Sequence, residues 1–181
     1  IAVRDVSLTI HPLEIHGLVG ESGSGKSTLA LALMRYMAKN ARVSSGEILL
    51  DGERLQAKSD SEMRKIWGRN LSHVPQDPLA SLNPSYTIGN QIAEITQLHQ
   101  GLSWQESLRR AVEMLGRVKI ADAEAVARKY PHQLSGGLRQ RAMVALALAA
   151  VPSLLIADGP TPALVVTVQA GVLDLLRGLR G

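Results

Sequence analysis

The apolar residues of this chain follow two different rhythms. Through residue 75 they come in short runs and alternations, whereas from Ile88 to Ala150 they recur every three or four positions. Val3, Val6, Leu8 and Ile10, with Asp5 and Thr9 among the polar positions between them, predict a strand over residues 1–10. Residues 14–19 predict a second short strand. Leu29, Ala32, Leu33, Tyr36 and Met37 share one helical face, so a helix is expected up to about Lys39. Residues 46–52 end in Asp51-Gly52, the dipeptide of a tight hairpin. A basic amphipathic piece at 61–69 and a strand at 71–75 complete the first rhythm.

Pro78, Asn83 and Pro84 mark the loop at which the second rhythm begins. Ile88, Ile92, Ile95 and Leu98 fit one helix. Leu108, Val112 and Leu115 fit another, with Ser103 as cap and Glu106 three residues on. Residues 121–129 and 138–150 supply two more helices. A strand returns at 154–157, closed by Asp158, and a last helix is expected over 165–179. The predicted organisation is an α/β core of residues 1–76 and 152–181, interrupted by a helical subdomain at 77–151.

Composition narrows this picture without redirecting it. A chain of 181 residues, 45% hydrophobic and 20% charged, is ordinary single-domain globular material. Its net charge of +4 is spread out, with no run of five like charges, so a nucleic-acid partner is not indicated. The absence of cysteine excludes a disulfide framework and thiolate metal sites, and suits a reducing compartment. The longest apolar tract, 142–151, stops at Pro152 and is too short to cross a bilayer. Both ends look cut: Ile1 enters directly into an alternating segment, and Gly181 closes a helix-like one.

The chemistry is concentrated in Gly20-Glu21-Ser22-Gly23-Ser24-Gly25-Lys26-Ser27-Thr28, which fits G-x-x-x-x-G-K-[ST] between a predicted strand and a predicted helix. Glycines let the backbone fold around phosphate oxygens with its N–H groups turned inward, and the helix start adds partial positive charge. In such a loop Lys26 reaches the β/γ-phosphates and the Ser27 hydroxyl holds Mg²⁺. An ordinary Gly/Ser turn would not need Lys and Ser at those places. At 154–158, four apolar residues end in a carboxylate, which puts Asp158 at the carboxyl end of a buried strand. That is either a simple strand cap or, with the loop upstream, a group for a phosphate-bound Mg²⁺. Gln76 follows a strand and means nothing by itself. Ser135-Gly136-Gly137 opens a helix as a second anion-ready N-terminus, although a plain serine cap explains it equally well. The five histidines are scattered without ligand spacing, and Trp67 and Trp104 read as packing residues.

In combination these motifs are more specific. The order phosphate loop, Gln76, Leu134-Ser135-Gly136-Gly137-Leu138-Arg139-Gln140-Arg141, then 154–158 resembles the nucleotide-binding subunit of ATP-binding-cassette transporters. The segments 74–84 (Val-Pro-Gln-Asp-Pro-Leu-Ala-Ser-Leu-Asn-Pro), 130–133 and 166–170 look like the branch that imports dipeptides, oligopeptides or nickel. The resemblance implies a P-loop NTPase with a RecA-like, mostly parallel core, here incomplete, and an inserted helical subdomain. It implies ATP and Mg²⁺ as cofactors. It also implies a second nucleotide-binding subunit, two membrane permease subunits and an external substrate-binding protein as partners, at the cytoplasmic face of the inner membrane. Ser135, Gly136 and Gly137 would act on the ATP held by the partner cassette. Gln76 would help bind Mg²⁺ and sense the membrane subunits.

Set against that family, Gly159 stands where a glutamate would serve as general base, and Ala163-Leu164-Val165 lacks the carboxylate expected to reach across the dimer. Leu13 replaces a usual glycine. The chain stops before the strand and switch histidine of the family, and starts after the aromatic that stacks on adenine. Two readings follow: an ATP-hydrolysing subunit of a peptide-type importer, or a degenerate subunit that binds ATP without hydrolysing it. A soluble cassette acting on DNA or ribosomes would need long coiled arms or tandem cassettes, for which this length has no room.

Overall fold

The computed structural model describes residues 3–158, and its backbone divides into two units, Ile1–Trp67 and Gly68–Gly181. The expected helix at 165–179, Gly159 and residues 163–165 lie outside the described residues.

In the first unit, helix α1 (Lys26–Leu33) begins where the glycine-rich stretch ends. It is shorter than the periodicity predicts. The chain turns at Arg35, in left-handed backbone at φ 52°, and the Arg35 guanidinium then donates to Leu55 O (3.0 Å) and to Lys58 O. Trp67 Nε1 donates to Met34 O at 2.8 Å, and its ring meets Tyr36 edge-on, so the end of α1 is held from two sides. The predicted hairpin is present: β1 (Leu49–Leu50) pairs antiparallel with β2 (Glu53–Arg54). Asp51 (φ 50°) and Gly52 (φ 82°) are both left-handed, as a two-residue type I′ turn requires. Helix α2 (Asp60–Ile66) follows, started by a capping box. Ser59 N donates to Glu62 Oε2 at 2.7 Å, and Glu62 N donates to Ser59 Oγ.

Two predicted strands of this unit are corrected by the structure. Residues 3–10 and 14–19 form no ladder, and Val6, Leu8, Ile10, Ile15, Leu18 and Val19 are exposed. Alternation marks a segment fit to join a sheet, but strand structure needs a neighbour for its N–H and C=O groups. Among the described residues of this unit, the only pairing is the β1–β2 hairpin.

The second unit contains a true core. Strand β3 (Leu71–Val74) is followed by a short helical turn, α3 (Pro78–Ser81). Then come α4 (Ile88–Gln100), α5 (Trp104–Arg117), α6 (Ala123–Ala127) and α7 (Gly136–Leu148), and β4 (Leu154–Ala157) closes the series. Ile92, Ala93, Ala111, Met114, Leu115, Ala145 and Leu148 are fully enclosed among these helices. The caps are those that the residue types dictate. Thr87 starts α4, which ends on Gly101 (φ 69°). Ser103 and Glu106 start α5 as a reciprocal box, with Ser103 N donating to Glu106 Oε2 at 3.0 Å and Glu106 N to Ser103 Oγ at 3.3 Å. Gly89 permits close contact between α4 and α6, because a Cβ there would lie 2.9 Å from Ala127 O.

After the helices the chain returns to β3. β4 pairs with it in parallel, Leu71 opposite Leu154 through Val74 opposite Ala157, and Leu154 N donates to Asn70 O at 2.9 Å. Val74 and Leu155, on one face, pack against the helices. The intervening segment is therefore a long crossover, as parallel pairing demands.

Candidate functional site

In the first unit the predicted phosphate loop is a structured turn rather than a linker. Ser24 N donates to Glu21 O at 3.2 Å, and Gly23 (φ 82°) and Gly25 (φ 95°) take left-handed backbone that side chains resist. Gly25 is the N-cap of α1, so the unpaired amides of the first helical turn open beside the loop. Gly20 is exposed but passes close to Ser24, since a Cβ there would meet Ser24 Oγ at 2.8 Å. Lys26 folds back over the turn. Its ammonium donates to Gly20 O (2.8 Å), Glu21 O (2.7 Å) and Ser24 Oγ (3.3 Å), using all three of its N–H bonds. Ser22, Ser27 and Thr28 are exposed on the loop and the first turn. Left-handed glycines, the open amides of a helix start and one ammonium are the ingredients of an anion-binding loop.

The second unit holds the remaining predicted residues. Val74 and Ala157 are the last paired residues of β3 and β4, so Gln76 and Asp158 both emerge at the carboxyl ends of adjacent parallel strands. In α/β sheets this is the edge at which ligands bind. Asp158 is anchored there, its N–H donating to Val74 O at 2.9 Å. Ser135 is the N-cap of α7, its Oγ accepting from Leu138 N at 3.4 Å. A Cβ built on Gly136 or Gly137 would meet nothing within 4 Å, so the helix start is open. Just before it, Pro131 and Leu134 are buried and fasten the turn that presents Ser135. Gly159, the expected position of a general base, lies outside the described residues.

Two residues of this unit were not singled out by sequence. Gln91 sits within the apolar face of α4, where spacing marks it only as an interruption. Its side chain accepts from Asn83 N (2.9 Å) and donates to Asn83 O and Tyr86 O (both 3.0 Å), fixing the loop that follows Gln76. His73, in the middle of β3, has a buried Nε2 without a hydrogen-bond partner. Burial lowers its pKa from the usual 6.5, against the upward pull of the Asp158 carboxylate, so the ring is neutral at pH 7.

Among the described residues no three His, Cys, Asp or Glu side chains gather as a metal site. The donors at the strand ends of the second unit, the Gln76 carbonyl and the anchored Asp158 carboxylate, and separately the Ser27 hydroxyl of the first unit, are hard oxygen ligands. They suit Mg²⁺, which keeps water and phosphate oxygens in its shell rather than needing a protein cage.

A glycine-rich anion loop opening a helix, and a carboxylate at the end of a parallel strand, define a P-loop nucleotide-binding fold. The ABC transporter family model matches residues 3–162, and the chain belongs to that family. The fold agrees: the ATP-binding cassette MJ0796, solved as a dimer in a post-hydrolysis state bound to ADP and Pi, superposes with a TM-score of 0.82. It is 27% identical, over 98% of this chain and 75% of that one. Among curated proteins, the glutathione import ATP-binding protein GsiA of Salmonella typhimurium is 49% identical over 99% of this chain and 30% of its own length. A putative peptide import ATP-binding protein of Brucella melitensis biotype 1 is also 49% identical, over 99% of this chain and 55% of its own. The chain thus spans between about a third and about half of the curated relatives it matches.

Proposed function

We propose that this chain is the ATP-binding part of a peptide-type importer, coupling ATP binding and hydrolysis to transport. One observation carries the reading: a P-loop folded around Lys26, in a chain half identical to glutathione and peptide import ATP-binding proteins along nearly its whole length. Residues 20–28 bind the phosphates. Lys26 exchanges its carbonyl contacts for β/γ-phosphate oxygens, and the loop amides complete the cradle. Ser27, Gln76 and Asp158 take the metal-facing roles, their oxygens suiting Mg²⁺, which neutralises phosphate charge when bound. Ser135, Gly136 and Gly137 present the α7 amides to the ATP of a second cassette. The division of labour is an ATP-binding core at 1–76 and 152–181 with a signature subdomain at 77–151.

The partners of this reading are a second nucleotide-binding subunit, two membrane permease subunits and an external binding protein that selects the peptide. Attachment would be peripheral, at the cytoplasmic face of the inner membrane. No described helix is long and apolar enough to cross a bilayer, which fits that placement.

Gly159 favours a second reading, a cassette that binds ATP without hydrolysing it. Glycine can neither accept a proton from water nor orient it, and general-base help is worth about 10² to 10⁴ in rate. Calorimetric titration with ATP and steady-state hydrolysis test both readings. Binding that Lys26→Ala abolishes supports the nucleotide role, and no uptake by the folded chain refutes it. Ordinary turnover by the unmodified chain removes the second reading. Turnover that appears only with Gly159→Glu establishes it.

A further inference from the structure

We propose that His73 is a positioning residue for Asp158, its imidazole holding the carboxylate in the orientation that a divalent metal requires. The inference rests on the metal-facing role given to Asp158 above. The register of the parallel pair places His73 opposite Ile156. Paired residues project to the same side of a sheet, and residues two apart on one strand share a face. His73, Ile156 and Asp158 therefore line one face, with His73 and Asp158 as diagonal neighbours across β3 and β4. The opposite face, carrying Val74 and Leu155, is the one packed on the helices.

Three observations make the histidine more than a packing residue. Its Nε2 is buried and makes no hydrogen bond, which is costly for a polar atom unless some state of the protein uses it. The charge on Asp158 is near enough to act on the ring. The carboxylate's own backbone is pinned to Val74, the residue after His73, so strand and side chain are fixed together. A neutral imidazole carries one N–H and can steady a carboxylate without neutralising it, as outer-shell partners do at metal sites.

The test uses the full chain and two variants. His73→Leu removes the ring nitrogens at similar volume, and His73→Gln keeps an amide donor. ATP binding is measured by calorimetry with Mg²⁺ and again in EDTA, and thermal unfolding reports folding. The expected result is a loss of about tenfold in the Mg²⁺-dependent affinity for His73→Leu, with binding in EDTA unchanged and most of the loss recovered in His73→Gln. Equal losses with and without Mg²⁺, no loss at all, or no recovery by glutamine would each overturn the proposal.

A second arm needs no nucleotide and stays decisive if the leucine variant does not fold. In ¹⁵N spectra, Asp158→Asn is expected to shift the His73 ring nitrogens, and unmoved resonances would refute the contact. Absence of ATP binding by the unmodified chain, with the His73 shift present, would sink the nucleotide reading and leave the His73–Asp158 link standing.

Discussion

The two units of this protein solve different problems. In the unit ending at Trp67, Ala30, Leu55 and Met63 are the buried apolar residues among those described, and the ordered parts are short: one loop-and-helix, one hairpin, one capped helix. In the unit beginning at Gly68, a continuous cluster from Val74 to Ala149 holds four helices and a parallel strand pair together. The anion loop sits in the poorly buried unit and is nonetheless well formed, because its geometry comes from glycine backbone and from hydrogen bonds spanning no more than six residues. Gln76 and Asp158 reach a common edge by the opposite route. They are 82 positions apart, 158 minus 76, and a whole helical core must form before their strands can pair. A turn of this kind can be built locally, whereas a carboxylate at the end of a paired strand has to be placed by packing.

The largest expected effect tests that division directly. Leu115→Ala empties a fully buried position and is expected to cost about 2–5 kcal/mol. Amide exchange should show the loss across α4, α5 and α7, with protection of α1 unchanged. A matching loss in α1 would break the comparison. Gly89→Ala drives a methyl against Ala127 O and should cost about 1–3 kcal/mol in thermal unfolding, confined to the same helices.

Gly25→Ala, at φ 95°, should do the reverse. About 1–2 kcal/mol of backbone strain would fall on the loop, weakening phosphate binding by calorimetry while leaving the helices unaltered.

The smallest effect is at a cap. Ser103→Ala should cost about 1 kcal/mol of the stability of α5. Hydrogen bonds from the Ser103 side chain and backbone hold the Glu106 pKa below its usual 4.5, and Ser59 does the same for Glu62. A carboxylate whose folded pKa is depressed stabilises the fold above its ordinary pKa, and that contribution is lost as the pH falls through the folded value. Both caps therefore contribute fully at neutral pH and weaken below about 4.5, a trend that circular dichroism at stepped pH would follow. In Ser103→Ala the part of that acid dependence carried by the hydroxyl should disappear, while the part carried by the backbone N–H remains.

Much of this is legible in the sequence. Ser103 and Glu106 announced a capping box and form one, and Asp51-Gly52 announced a hairpin and turns one. The four long apolar patterns became α4 to α7, although α6 covers only Ala123–Ala127 of the nine residues expected. Leu98, counted on the apolar face of α4, is 73% exposed near the end of the helix. Residues 3–10 and 14–19 show the opposite failure, because alternation states which side of a strand is apolar and says nothing about what will pair with it. His73 and Gln91 were invisible for a related reason. A single polar residue in an apolar run becomes meaningful only when its neighbours from other elements are known.

By itself, then, the order of residues determined the phosphate loop, the helix it opens, the hairpin turn and the caps, since each depends on bonds between groups a few positions apart. Tertiary structure alone decided that Gln76 and Asp158 share an edge, that His73 stands beside that carboxylate on one sheet face, and that Gln91 ties down the loop after Gln76. Those outcomes depend on strand register and helix packing across long stretches of chain, where many partners are possible and only the buried apolar surface selects among them.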